Sequence, residues 1–130
     1  MKKTILITAS ALGVLSIILG AFGAHALKEL IPVESQQTFE TGVRYQMYHA
    51  LFLLFVGSTS LIMEKTKNII YYLVVLGVLL FSGSIYGLAT NELSAFNFKS
   101  IGFVTPVGGL LLIGAWVKLF IEFLKISTNK

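Results

Sequence analysis

Four stretches of the chain carry no Asp, Glu, Lys or Arg: residues 4–27, 45–63, 68–91 and 100–117, which are 24, 19, 24 and 18 residues long. Crossing about 30 Å of hydrocarbon takes about 20 helical residues, so each stretch predicts one membrane-spanning helix. Apolar residues do not alternate within them; a run such as YYLVVLGVLLF, residues 71–81, is apolar on every side. That pattern belongs to lipid-facing helices and not to barrel strands. The expected fold is an all-α membrane protein, a compact bundle of four transmembrane helices forming one integral domain over residues 1–130.

The connections are too short for a second domain. In residues 28–44, Pro32 suits the first turn of a helix that continues into the second span, with Glu40 and Arg44 at i,i+4 on a solvated extension in the interface. Residues 64–67 read as a tight turn, and residues 92–99 as a polar loop whose Phe96 and Phe98 dip into the headgroups. With four spans, Lys2, Lys3, Lys65, Lys67, Lys118, Lys125 and Lys130 fall on one side and Lys28, Arg44 and Lys99 on the other. The positive-inside rule then places both termini in the cytoplasm.

A rival for the first stretch is a secretory signal, with Lys2 and Lys3 ahead of an apolar run and Ala24-His25-Ala26 as a cleavage site before Leu27. Against it stands a stripe of small residues, Gly13, Ser16, Gly20 and Ala24, the kind of face that brings membrane helices close together. We read the stripe as helix packing and the span as retained.

Composition agrees with the pattern. Of the 130 residues 55% are hydrophobic and 12% charged, about half the charge that a soluble domain carries. Mean hydropathy is +0.84. The net charge of +4 comes from scattered basic residues with no aromatic-interleaved stripe, which argues against nucleic acid. Cysteine and Asp are both absent, which excludes thiol chemistry and every template that needs an aspartate. No H-E-x-x-H, P-loop or G-x-S-x-G motif is present either. No catalytic residue, metal or cofactor is expected, and the chain reads as non-enzymatic.

Polar groups inside the spans are few, and each is costly in lipid unless partnered. Counting from the ends of the charge-free stretches puts His25, His49, Tyr86 and Thr105 at similar depth below the outer surface. In the second span Gln46, His49, Leu53, Gly57 and Ser60 recur at helical spacing as a polar or small face, opposite Met47, Leu51, Leu54 and Phe55, which suit lipid. Gly83 and Gly87 form a GxxxG pair for helix packing, and Pro106 is expected to break or kink the fourth helix. Tyr45, Tyr48 and Trp116 read as interfacial anchors, and Lys118, Glu122 and Lys125 as a solvated stripe.

Phe22-Gly23-Ala24-His25-Ala26-Leu27, Phe39, Gly42, Tyr45-Gln46-Met47-Tyr48-His49-Ala50, Phe81-Ser82-Gly83-Ser84-Ile85-Tyr86, and Thr105-Pro106-Val107-Gly108-Gly109 with Trp116 resemble the domain of unknown function 423. This is also called uncharacterised protein family 0382, and it is similar to the eukaryotic transmembrane protein 256. The resemblance covers nearly the whole chain. It implies a small multi-pass protein of the bacterial plasma membrane with no agreed activity, and it carries over no catalytic residue.

The residues that carry the resemblance include the outer polar layer. We therefore take His25, Gln46, His49, Ser84, Tyr86 and Thr105 as candidate contacts to a lipid-like or quinone-like ligand, or to a membrane protein partner or second copy. The same groups can instead tie the helices together. Rival functions are a small oligomeric transporter or channel subunit, and a structural accessory subunit of a larger complex.

Overall fold

The structure is a computed structural model that describes residues 2–93 and 102–126, apart from the side chain of Glu92. Among these residues there are four long helices and no strand: α1 Lys2–His25, α2 Val33–Ser58, α3 Glu64–Ala89 and α4 Val104–Leu124, with 3-10 turns at Leu27–Glu29 and Asn91–Leu93. The expected loop at 92–99, with Phe96 and Phe98, and the start of the fourth stretch at Ser100 lie mostly outside the described residues. α1, α3 and α4 are long and apolar enough to cross a membrane. α2 has the length, with 26 residues, but carries Glu34, Glu40 and Arg44.

Local chemistry explains the helix ends. Pro32 precedes α2 in an extended conformation, where its missing amide costs nothing. Gln36 pins that corner by donating from Nε2 to the carbonyls of Lys28 at 2.9 Å and Ile31 at 3.0 Å. α2 stops at Ser58 because Thr59 turns extended and its hydroxyl accepts the Leu61 amide at 3.1 Å. The connection is therefore residues 59–63, and residues 64–67 are the first turn of α3 instead of a tight turn. Pro106 is the third residue of α4, where an amide has no partner within the helix, so it starts the helix and does not kink it.

Glu122 corrects another expectation. It is 7% exposed, and its carboxylate accepts the Met63 amide at 3.1 Å and the Thr66 hydroxyl at 2.9 Å. The end of α4 thereby caps the start of α3, satisfying amide and hydroxyl donors that local sequence leaves open and placing negative charge at the positive end of a helix.

Helix-to-helix attraction in lipid rests on close packing and hydrogen bonds, since the tails are as apolar as the side chains. The contacts run through small residues. Along α1 and α2, Gly57 meets Ile5 and Leu6, Gly13 meets Ala50, Gly20 meets Val43 and Gly23 meets Phe39. The residue numbers at each contact add to 62 or 63, an antiparallel pair in constant register from end to end. A Cβ on Gly23 would lie 2.8 Å from the Phe39 ring. α2 and α3 approach where Gly42 faces Ile85 and Tyr86, and α3 and α4 where Gly108 lies against the backbone of Gly77, Leu80 and Phe81. One apolar core joins Ile5, Leu53, Val56, Val74, Leu112 and Ala115, and a smaller one at the other end joins Leu27, Ile31, Phe39 and Ala89.

Candidate functional site

The polar residues of the spans meet one another between the helices. Gln46, 4% exposed, donates from Nε2 to the Leu12 carbonyl at 2.9 Å and accepts the Tyr86 hydroxyl on Oε1 at 2.6 Å, which ties α2 to both α1 and α3. The Ser82 hydroxyl donates to the Gly42 carbonyl at 2.8 Å. Ser84 donates to the Phe81 carbonyl at 3.0 Å and shares a hydrogen bond with Thr105 on α4. Further along, Thr8 and Tyr71 share one at 2.9 Å between α1 and α3.

His49, 4% exposed, uses both ring nitrogens. Trp116 donates its indole N–H to Nε2 at 3.1 Å, and Nδ1 lies 2.7 Å from the Tyr45 carbonyl. An indole nitrogen is a donor only, so Nε2 accepts, and Nδ1 carries the proton that it donates to the carbonyl. The ring is a neutral imidazole bridging α2 and α4.

His25 is not part of this network. It is exposed at the end of α1, and the constant register sets it level with residue 38 of α2, eleven residues from His49, or about 16 Å along the axis. The equal-depth count took Tyr45 as the outer end of the span, whereas α2 begins three turns earlier, as Pro32 predicts, and Gly23 of α1 meets Phe39 there. Gln46, Ser84, Tyr86 and Thr105 do come together in two bonded pairs. The polar and small face of α2 is buried at Gln46, His49, Leu53 and Gly57, while Leu51, Leu54 and Phe55 are exposed; Ser60 lies beyond the helix and is exposed.

Of the packing stripe, Ser16 is buried and Gly13 and Gly20 face α2, while Ala24 is exposed. Gly87 is half-buried, and Gly83 is exposed with nothing within 4 Å of a Cβ placed there. The close approach of α3 to α4 passes through Gly77 and Gly108 instead.

Sequence patterns missed Trp116. It stands in the second half of α4, and its ring stacks on Phe52 with centroids 4.2 Å apart. With Lys118 two residues on, nothing in the local sequence points to a partner on α2. Beside it opens a cleft of about 310 Å³ lined by Tyr45, His49, Phe81, Gly109, Leu112, Ile113 and Trp116. A second cleft, of about 420 Å³, lies between α1 and α2 at Gly20, Gly23, Ala24, Val43 and the Glu40–Arg44 pair. The first cleft presents aromatic faces around a histidine whose two ring nitrogens are both hydrogen-bonded.

Residues 19–109 match the family described as protein of unknown function DUF423. A UPF0382 membrane protein of Staphylococcus haemolyticus is 37% identical over 123 residues, 95% of this chain and 97% of that relative. The UPF0382 membrane protein YwdK of Bacillus subtilis is 35% identical, over 95% of this chain and 98% of its own. The UPF0382 inner membrane protein YgdD of Escherichia coli is 32% identical, over 97% and 93%. No solved structure matches the chain.

Proposed function

This chain belongs to the DUF423 family of bacterial membrane proteins, and we propose that it is a single four-span domain, with both termini in the cytoplasm, that binds a lipid-like or quinone-like molecule without chemistry. The Trp116 cleft carries the reading. Ligand pockets of about 300 Å³ and more, mostly apolar with a few placed polar groups, are the common form of small-molecule site. This one opens between helices of a membrane protein, among rings that suit a flat headgroup or an isoprenoid chain.

The polar layer serves the cleft by holding its walls. Gln46, His49, Ser84, Tyr86 and Thr105 are turned to partners on neighbouring helices, which favours a rigid binding bundle over a water-lined transport path. α2 supports the fourth crossing despite its charges, since α1 lies along it from Phe39 to Gly57. The seven-to-three division of Lys and Arg supports the orientation.

Gly109 forms one side of the cleft, where a Cβ would touch Phe81 at 3.6 Å in ordinary contact. Gly109→Leu should fill the space with little cost to the fold. Extraction and mass spectrometry of quinones and lipids that co-purify should find one species depleted in the variant; identical content in both proteins would contradict the proposal.

A further inference from the structure

The helical part of the second charge-free stretch runs only from Tyr45 to Ser58, about 21 Å, short of the ~30 Å of hydrocarbon. A crossing by α2 must therefore recruit the turns before Tyr45. The α1–α2 register says how far: Arg44 is level with Leu19 and Glu40 with Gly23. If the hydrocarbon is centred on the charge-free part of α1, Arg44 lies about 8 Å and Glu40 about 2 Å inside its edge. On that placement the pair lies within the hydrocarbon and not above it.

At that depth the pair is underpartnered. The Arg44 and Glu40 side chains are 51% and 67% exposed and meet at 3.3 Å. Among the described residues, Arg44 makes two hydrogen bonds, to Glu40 and to the Thr41 hydroxyl, both at 3.3 Å. A guanidinium has five donors, and in lipid the others have no water to use. The cleft of about 420 Å³ opens beside the pair over a floor of Gly20, Gly23 and Ala24. A helix about 10 Å across does not fit such a space, whereas a phospholipid headgroup does.

We propose that this cleft binds a zwitterionic aminophospholipid, with the headgroup phosphate on Arg44 and its ammonium on Glu40. The order of charge carries the assignment. Arg44 lies one turn deeper than Glu40, about 6 Å along the helix, and in phosphatidylethanolamine the phosphate lies deeper than the ammonium. A purely anionic headgroup matches Arg44 but sets negative charge against Glu40. The inference rests on the reading that α1 and α2 both cross the bilayer.

The test uses native mass spectrometry of the full chain in detergent with added phosphatidylethanolamine, phosphatidylglycerol or phosphatidylcholine. Wild type should retain phosphatidylethanolamine about tenfold over the other two, the factor of one charge-assisted hydrogen bond. The charge-reversed E40R/R44E keeps an i,i+4 ion pair while inverting its polarity, and should lose the preference; Arg44→Gln, at an exposed side chain, should lower retention about tenfold and serves if the double variant does not fold. Equal retention of the three lipids by wild type, or unchanged preference in either folded variant, overturns the proposal. So does a dimer that Arg44→Gln dissociates, which would make the stripe an interface with a second copy. Thr41→Cys, in a chain without cysteine, separates the two levels of the argument. Rapid labelling in cells by a membrane-impermeant maleimide would overturn the spanning reading and the lipid site with it; protection together with absent lipid preference would overturn the lipid site alone.

Discussion

Trp116 holds His49 in one tautomer: the indole N–H reaches Nε2 at 3.1 Å, so the imidazole proton sits on Nδ1 and goes to the Tyr45 carbonyl. The bond joins α4 to α2 across the edge of the Trp116 cleft. It therefore couples helix stability to the shape of the cleft.

Trp116→Phe leaves a buried acceptor unpaired and should lower stability in detergent by about 1–3 kcal/mol. His49→Leu should cost a similar amount. The double variant should be less destabilised than the sum, because each change alone strands the other partner. Thermal or chemical unfolding of the four proteins measures the coupling; strict additivity would show that the two side chains do not act together.

Gly108→Ala and Gly83→Ala should behave in opposite ways. A Cβ on Gly108 collides with backbone of α3, which cannot move aside as a flexible side chain can, so a loss of about 1–3 kcal/mol or more is expected. Gly83 faces open space, and Ala there should be neutral or up to about 1 kcal/mol stabilising through helix propensity. Melting curves of the two variants decide between close packing at Gly77–Gly108 and at the GxxxG pair.

Local pattern made much of this fold legible, and the failures share a cause. Spacing of three and four identified the buried face of α2 at Gln46, His49, Leu53 and Gly57, because lipid and core exposure follow helix periodicity. Charge-free stretches mark where lipid is tolerated and not where a helix starts: Pro32 marks the start of α2, whereas counting depth from Tyr45 sets His25 beside His49. Glu122 read as a surface charge because its partners, Met63 and Thr66, are 59 and 56 residues away. Trp116 read as an anchor by composition, while its role depends on a histidine 67 residues distant.

Glu122→Leu should cost about 1–3 kcal/mol, since it strands the Met63 amide and Thr66 hydroxyl at the start of α3. Glu122→Gln retains one acceptor oxygen and should cost less. Unfolding midpoints of the pair check the capping role, and equal values for wild type and the Leu variant would contradict it.

Topology is open to reporter fusions. Reporters joined after Lys130 and inserted at Leu30, between α1 and α2, should be active on opposite sides of the membrane, with the terminus in the cytoplasm. Recovery of a mature chain beginning at Leu27 would instead identify the first stretch as a cleaved signal.

Ligand binding at the Trp116 cleft is tested most directly by the fluorescence of that residue, the single tryptophan in the chain. Titrating the detergent-solubilised protein with a short-chain membrane quinone should quench Trp116 in a saturable way, whereas Gly109→Leu should show only the shallow linear quenching of collisions in the micelle. Linear quenching in both proteins, or saturation that Gly109→Leu leaves unchanged, would contradict a quinone-like ligand in this cleft.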